Sequence, residues 1–234
     1  MQHEDYFSLS LIDENTLWTD YIYENGNNAE VSMLDKNGEP AVFEISVNHL
    51  QSNSNYYLVV FTNITAMQNE KKLLEKMAYH DPLTNIYNRQ MFNNLLAKEH
   101  ENKKRHGDDL SLIMFDIDHF KEVNDTYGHD IGDKVLTTLT QLVSNHLRTN
   151  DIFSRWGGEE FMILLPRTAP DFAYNKAQEL RAVVEKYADN IIPQITVSFG
   201  VTDIRDDDKE QSCFKRVDEA LYQAKIKRND VVKL

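Results

Sequence analysis

Polar and apolar residues take turns through Val42-Phe43-Glu44-Ile45-Ser46-Val47, the period of a half-buried strand. A short apolar run at 31–34 precedes it across Asn37-Gly38, a pair suited to a tight reversal. A further apolar run, 56–61, follows an Asn/Ser-rich connection at 51–55. These segments predict a small antiparallel sheet. From 64 to 78 the period becomes helical: Ile64, Met67, Lys71, Leu74 and Ala78 are spaced 3, 4, 3 and 4 apart, with Leu73 and Met77 widening the stripe. At ~1.5 Å per residue this is a rod of roughly 22 Å. Two readings of it stand open, an amphipathic connector lying on its own domain and a two-stranded stalk joining two copies of the chain.

After Asp81-Pro82, a helix-boundary signal, helix and strand alternate. The pattern predicts a helix over 90–104, a strand over 110–115 and a long helix over about 132–147. Val135, Leu136, Leu139, Leu142, Val143 and Leu147 lie along one side of the long helix. Next comes a hairpin with strands 152–156 and 161–165 joined by Gly157-Gly158-Glu159-Glu160. Helix 171–187, strand 194–201 and helix 214–227 complete the series. Such a series implies an α/β (α+β) domain, with helices packed on a central, largely antiparallel sheet. The chain thus divides into a small antiparallel sheet within 1–66, a helical linker at 67–80 and a layered domain at 81–234.

A length of 234 residues leaves room for one full domain and a smaller attachment. Lys and Arg number 25 against 38 Asp and Glu, a net charge of −13, so neither nucleic acid nor an anionic membrane surface is an expected partner. The longest apolar run, 56–61, is far short of the ~18–20 residues of a membrane span. The opening Met-Gln-His-Glu-Asp has no apolar signal core, and the expected location is the cytoplasm. Cys213 is the single cysteine and the eight histidines are scattered, so neither a disulfide framework nor a zinc site is expected. Any metal must be held by oxygen.

Two acidic clusters supply that oxygen. Gly157-Gly158 is expected at a hairpin tip because tight reversals use residues that reach positive φ. Glu159 and Glu160 directly after it repel one another, and a bare turn gains nothing from that repulsion; they suggest a cation. Asp116-Ile117-Asp118 begins where the apolar run Leu112-Ile113-Met114-Phe115 ends, which places Asp116 and Asp118 to one side and Ile117 to the other. If that strand neighbours the hairpin, Asp116 faces Glu159 and Glu160. Hard oxygen ligands without His or Cys select Mg²⁺ or Mn²⁺.

Arg155-Trp156-Gly157-Gly158-Glu159-Glu160-Phe161 resembles the signature of the GGDEF family of diguanylate cyclases, in the form with Glu at its third position. The resemblance extends, in family order over 81–234, through Asp81-Pro82-Leu83-Thr84-Asn85-Ile86-Tyr87-Asn88-Arg89, Phe115-Asp116-Ile117-Asp118-His119-Phe120-Lys121 and Asn124-Asp125-Thr126-Tyr127-Gly128-His129-Asp130-Ile131-Gly132-Asp133. It continues through Thr196-Val197-Ser198-Phe199-Gly200-Val201 and Asp218-Glu219-Ala220-Leu221-Tyr222-Gln223-Ala224-Lys225. It implies a fold similar to a polymerase palm and an enzyme that condenses two GTP into cyclic di-GMP with release of two pyrophosphates. The enzyme would work as a homodimer whose half-sites face one another. The alternative is a non-catalytic module that binds GTP or cyclic di-GMP and signals through the stalk.

Residue by residue, the resemblance implies that Asp116, Glu159 and the backbone carbonyl of Ile117 hold the metal, with Glu160 a further ligand or the group that activates the attacking hydroxyl. Asn124 and Asp133 match the base-reading positions; a carboxylate only accepts hydrogen bonds and so suits the N1–H and N2–H₂ donors of guanine. Phosphate contacts would come from backbone N–H groups around His119 and Phe120 and along Gly157 and Gly158. Lys121, within the catalytic set, and Lys225 would neutralise charge. The family pattern Ala-Lys-x-x-Gly-Arg-Asn meets Ala224-Lys225-Ile226-Lys227-Arg228-Asn229, one residue shorter and without the glycine, which leaves the phosphate role of Arg228 open. Arg148-Thr149-Asn150-Asp151 ends six residues before Gly157, the spacing of the family's inhibitory product site. There Arg148 would fork onto guanine or phosphate, Asp151 would take the guanine donors, and Arg181 would add a contact. The alternative for Arg148 and Asp151 is a solvated ion pair. Finally, Tyr57-Leu58-Val59-Val60-Phe61-Thr62-Asn63-Ile64-Thr65 is similar to the last strand of PAS sensory domains and the polar tail after it. No ligand is assigned to that segment.

Overall fold

The computed structural model of the chain describes residues 29–35, 37–49, 57–188, 190–208 and 210–234. The connection at 51–55, Tyr56 and the first 28 residues of the N-terminal segment lie outside the described residues. The chain divides into two compact units between Lys76 and Met77.

In the first unit β1 (Ala29–Leu34), β2 (Pro40–His49) and β3 (Tyr57–Asn63) form an antiparallel sheet in that order. Alternation sorts its faces: Val31 lies opposite Phe43 in the β1–β2 register, and Val31, Met33, Ala41, Phe43 and Ile45 are all buried. The reversal between β1 and β2 is closed by Gly38 at φ +81° and by the Asp35 carboxylate, which accepts from the N–H groups of Asn37 at 2.8 Å and Glu39 at 2.9 Å. Helix α1 (Thr65–Tyr79) follows, its start fixed by Asn63 Oδ1 accepting from Thr65 N–H at 3.0 Å. No residue of α1 is buried, and Met67, Leu73, Leu74 and Met77 are each more than half exposed.

The second unit contains β4 (Tyr87–Asn88), α2 (Arg89–His106), β5 (Leu110–Ile117), α3 (Phe120–Tyr127), α4 (His129–Ser144), β6 (Ile152–Arg155), β7 (Glu160–Pro166), α5 (Pro170–Lys186), β8 (Val197–Asp203), α6 (Glu210–Lys227) and β9 (Val231–Lys233). Its sheet has the order β4-β6-β7-β5-β8-β9. The four inner strands are antiparallel, and only the short edge pairs β4–β6 and β8–β9 are parallel. All eight residues of β5 are buried because helices cover both faces of this central strand. Ile113, Phe115 and Ile117 pack with residues of α4 and α5, while Leu112 and Met114 pack with Phe92 and Leu96 of α2 and Val217 and Leu221 of α6. Phe115 anchors the first face, its ring 5.1 Å from Phe161 and 4.8 Å from Phe199.

Several boundaries differ from the sequence pattern for local reasons. Helix α3 went unpredicted because only Phe120 and Val123 of its eight residues are buried. The long helix runs from His129 to Ser144 rather than 132–147, since Gly128, at φ +83°, sets the break after α3. Asp133 thus lies in its second turn, not its first. The strand expected at 194–201 is Val197–Asp203. β4 and β9, of two and three residues, are too short to carry a period.

Candidate active site

Strand register assembles the acidic pair. In the β5–β7 ladder Phe115 lies opposite Phe161 and Asp116 opposite Glu160. Period-two alternation puts Asp116 on the α6 side of the sheet with Leu112 and Met114. There Lys225 Nζ reaches Asp116 Oδ2 at 2.8 Å. Asp116 is almost fully buried, and its pKa is pushed up to about 6. Burial is the largest cause; the hydrogen bond and charge of Lys225 oppose it, and the charges of Glu159 and Glu160 add to it. Ile117 stands one residue beyond the end of the β5–β7 ladder, so no β7 residue is paired with it. Among the described residues no three His, Cys, Asp or Glu side chains gather closely enough to hold an ion by themselves. The charged groups acting on Asp116 from the hairpin are the carboxylates of Glu159 and Glu160, and oxygen donors suit a hard cation that keeps water and takes phosphate oxygens from its substrate.

The hairpin tip corrects one expectation. Neither Gly157 nor Gly158 is at positive φ. Turn geometry therefore does not require them. A Cβ on Gly157 would approach Glu160 Oε2 to 3.1 Å, while a Cβ on Gly158 would meet nothing within 4 Å. Gly157 leaves room for a carboxylate, and Gly158 faces open space. Glu160 is also not part of the loop but the first residue of β7, its carbonyl accepting from Trp156 N–H at 2.8 Å. Arg155 braces the tip from below, donating to Gly158 O at 2.7 Å and to both carboxylate oxygens of Asp81 at 3.1 and 3.2 Å. Burial raises the Asp81 pKa, but hydrogen bonds from Thr84 and the Arg155 charge outweigh it and hold the carboxyl below its ordinary value. Trp156 is clamped by the Arg89 guanidinium, 4.3 Å above its ring, and by Phe214 at 4.9 Å.

Three residues past Ile117, α3 begins at Phe120 without any side-chain cap, after His119 in the left-handed region at φ +58°. Glu122 and Val123 N–H donate to His119 O at 2.9 and 3.2 Å, which leaves the N–H groups of Phe120 and Lys121 without a backbone acceptor among the described residues; an αL residue followed by such groups forms an anion-binding concavity. Lys121 is exposed there and makes no ion pair with a described residue. Asn124, one turn on, lies against Gly132 of α4: a Cβ at position 132 would collide with Asn124 Oδ1. Asp133 follows directly. The resemblance assigns Asn124 to the guanine edge; on that assignment Gly132→Ala, which displaces the Asn124 side chain, is expected to weaken GTP affinity by roughly tenfold, with the fold retained. Titration with a fluorescent GTP analogue checks it.

The product-site candidates fall in different surroundings. Asp151 Oδ2 accepts from the backbone N–H of Arg148 at 2.8 Å, closing a turn rather than pairing with its guanidinium. The Arg148 side chain is exposed and makes no ion pair with a described residue. Arg181 is committed elsewhere, to Glu185 and Asn229, each at 3.0 Å. Arg228 and Asn229 adopt φ of +61° and +44°, and Arg228 N–H bonds back to Ala224 O at 2.8 Å as a helix C-cap. Arg228 thus occupies the left-handed position where glycine is usual, at a cost of about 1 kcal/mol.

Comparison with known proteins places this arrangement. Residues 78–230 match the family profile described as diguanylate cyclase, GGDEF domain. The chain belongs to the GGDEF family. Diguanylate cyclase DgcM of Escherichia coli is 39% identical over 168 residues, covering 72% of this chain and 41% of DgcM. The chain therefore spans about two fifths of the length of that curated relative. The coiled coil and GGDEF domain of DgcB from Caulobacter crescentus, solved in complex with c-di-GMP, superposes with a TM-score of 0.68 at 29% identity, covering 73% of this chain and 93% of that one. The active GGEEF domain of a diguanylate cyclase from Vibrio cholerae gives 0.55 at 33% identity, covering 58% and 89%.

Some residues of the GGDEF unit that matter to the site carried no separable sequence signal. Arg155 and Asp81 belong to motifs 74 positions apart, and nothing but the fold pairs them. Asp118, two residues beyond Asp116, has a carboxylate that accepts from Thr196 Oγ1 and Ser198 Oγ, both at 2.7 Å, and from Asn229 N–H at 2.9 Å. It ties β8 and the C-terminal turn to the end of β5. Gly132 was legible only as part of a matched string.

Proposed function

We propose that residues 81–234 condense two molecules of GTP into cyclic di-GMP and release two pyrophosphates. The observation that carries this reading is Asp116 held in register with Glu160, beside a glycine tip open to solvent and the uncapped start of α3. The names of the GGDEF relatives support it, and the Vibrio cholerae domain does so for the Glu form of the signature.

In this reading Asp116 and Glu159, with the Ile117 carbonyl, would hold Mg²⁺ or Mn²⁺. Such an ion, when bound, offsets triphosphate charge and acidifies the attacking hydroxyl. The N–H groups at the start of α3, with Lys121, seat the phosphates; Asn124 and Asp133 take the guanine edge. Glu160, opposite Asp116 in the ladder, would accept the proton of the 3′-hydroxyl or complete the ion's shell. Each 3′-oxygen attacks the α-phosphorus of the opposite nucleotide and pyrophosphate departs, so one half-site is insufficient. The exposed stripe of Met67, Leu73, Leu74 and Met77 on α1 supplies a surface for a homodimeric stalk, under control of a PAS-like sheet at β1–β3.

Incubation with GTP and Mg²⁺ followed by nucleotide chromatography tests the reaction. Cyclic di-GMP should accumulate at a rate that rises faster than linearly with enzyme near the dimer constant. Recovery of bound, unconverted GTP alone would favour the binding-module alternative.

We further read Arg148 and Asp151 as the product-inhibition site, because the Arg148 guanidinium is unpaired among the described residues while Asp151 shapes the turn that presents it. Arg148→Ala is expected to raise the product concentration for half-inhibition by roughly tenfold or more, the loss of a charged bidentate contact, with the initial rate unchanged. Identical inhibition curves would remove this site.

A further inference from the structure

Lys121 and Lys225 are treated alike by the family resemblance, but they stand in different electrostatic positions. Lys121 is exposed and unpaired among the described residues, whereas Lys225 lies against Asp116. Asp116 is the more demanding partner. It is almost fully buried, lies opposite Glu160, and has Lys225 as its single polar side-chain partner among the described residues. Asp118, equally buried, shows the other solution, a carboxylate satisfied by two hydroxyls and a backbone N–H without any cation. A buried carboxylate with like charges beside it is costly unless a positive charge or a proton offsets it.

Lys225 can supply that charge and also withdraw it. Its side chain is 38% exposed, against 8% for Asp116, so the ammonium sits at the boundary of the site on a flexible stem. The last turn of α6, where the helix dipole favours a cation, holds it in place.

We propose that Lys225 is a built-in stand-in for the divalent cation, competing with it for the Asp116 carboxylate and being released to the incoming polyphosphate when the cation binds. The inference rests on the reading of Asp116 as a metal ligand. It adds that metal and nucleotide capture are coupled through one side chain: the cation displaces the ammonium, and the displaced ammonium becomes a phosphate contact. Lys225 is thus expected to oppose binding of the metal alone and to favour binding of the metal with nucleotide.

The test is opposite signs on two ligands. Mn²⁺ binding without nucleotide is measured by the paramagnetic resonance of free Mn²⁺ at pH 8, above the parent's value of about 6 for Asp116, and repeated at pH 7, because loss of the Lys225 charge favours the proton on Asp116 and a proton-limited result would change between the two. Lys225→Met should bind Mn²⁺ roughly three- to tenfold more tightly than the parent, as expected on removing one partly screened positive charge. The same variant should bind a fluorescent GTP analogue with Mg²⁺ roughly tenfold more weakly. Lys225→Arg, which keeps the charge, should stay near the parent in Mn²⁺ binding. Unchanged or weaker Mn²⁺ binding by Lys225→Met overturns the inference while leaving the cyclase reading intact. A parent protein whose Mn²⁺ binding is indifferent to Asp116→Asn overturns both. Circular dichroism melts confirm that each variant is folded.

Discussion

Asp116→Asn is expected to lower cyclic di-GMP formation by at least about 10³-fold, the loss of several kcal/mol of metal-dependent stabilisation, and at the same time to raise the melting temperature. The two effects share one cause. Asp116 is a carboxylate buried among like charges, with a pKa pushed from 3.8 to about 6. Its folded value lies above its unfolded one, so between those limits the folded chain binds more protons than the unfolded chain. Stability contributed by this group is therefore full at low pH and falls as pH rises from 3.8 to about 6. Above that window the penalty is on the order of 3 kcal/mol at ~1.4 kcal/mol per unit.

That penalty is already net of the bond to Lys225; asparagine removes the charge but leaves a buried amide with unmet hydrogen bonds, for a net gain of about 1–2 kcal/mol, or a few degrees. Melting curves at pH 8 and pH 4.5 check the sign: the advantage of the variant should be largest at pH 8 and shrink in acid. A variant that melts below the parent at pH 8 would show that Asp116 stabilises the fold, contrary to this account. In the parent, the acid limb of the rate profile should move to lower pH as Mg²⁺ is raised, because the ion and the proton compete for the same oxygens.

Much of this site was legible before the fold, and the parts that were not have physical reasons. The strand leading into Asp116 and the hairpin carrying Glu160 are marked by apolar runs and turn residues, and register does the rest, since Phe115 opposite Phe161 fixes Asp116 opposite Glu160. Tertiary pairings were not legible. Arg155 reaching Asp81, Lys225 reaching Asp116 and Asp118 reaching Asn229 each join distant segments, and no local pattern distinguishes them from solvated charges. Helix α3 escaped because the sheet needs only Phe120 and Val123 from it, too few to make a stripe. The glycines of the tip were read for the wrong reason. Gly-Gly at a hairpin suggests a conformational need, yet both residues hold ordinary φ, and what distinguishes the tip is the Glu160 carboxylate at Gly157 and the open space at Gly158.

Gly200→Ala separates that kind of glycine from a packing one. Gly200 lies on β8 opposite Met114 of β5, and a Cβ there would fall inside the contact distance of Val217 O and Leu221 N. Both are backbone atoms of α6, so no side chain can rotate away. Ala220, Leu221 and Ala224 are buried on the same helix, the small pair allowing its close approach to the sheet. The added methyl must push α6 outward and open that seam, at an expected cost of about 3 kcal/mol or more. Lys225 rides one turn beyond Leu221, so the same displacement withdraws it from Asp116 and lowers activity in the protein that remains folded. Gly158→Ala should behave in the opposite way. Its methyl meets open space, so stability should change by less than about 0.5 kcal/mol, while the approach of a triphosphate to the tip is hindered and activity falls. Urea unfolding of the two variants, with similar m-values expected, measures the contrast. Equal midpoints for Gly200→Ala and the parent would mean that α6 yields without cost, and the fixed placement of Lys225 over Asp116 would lose its support.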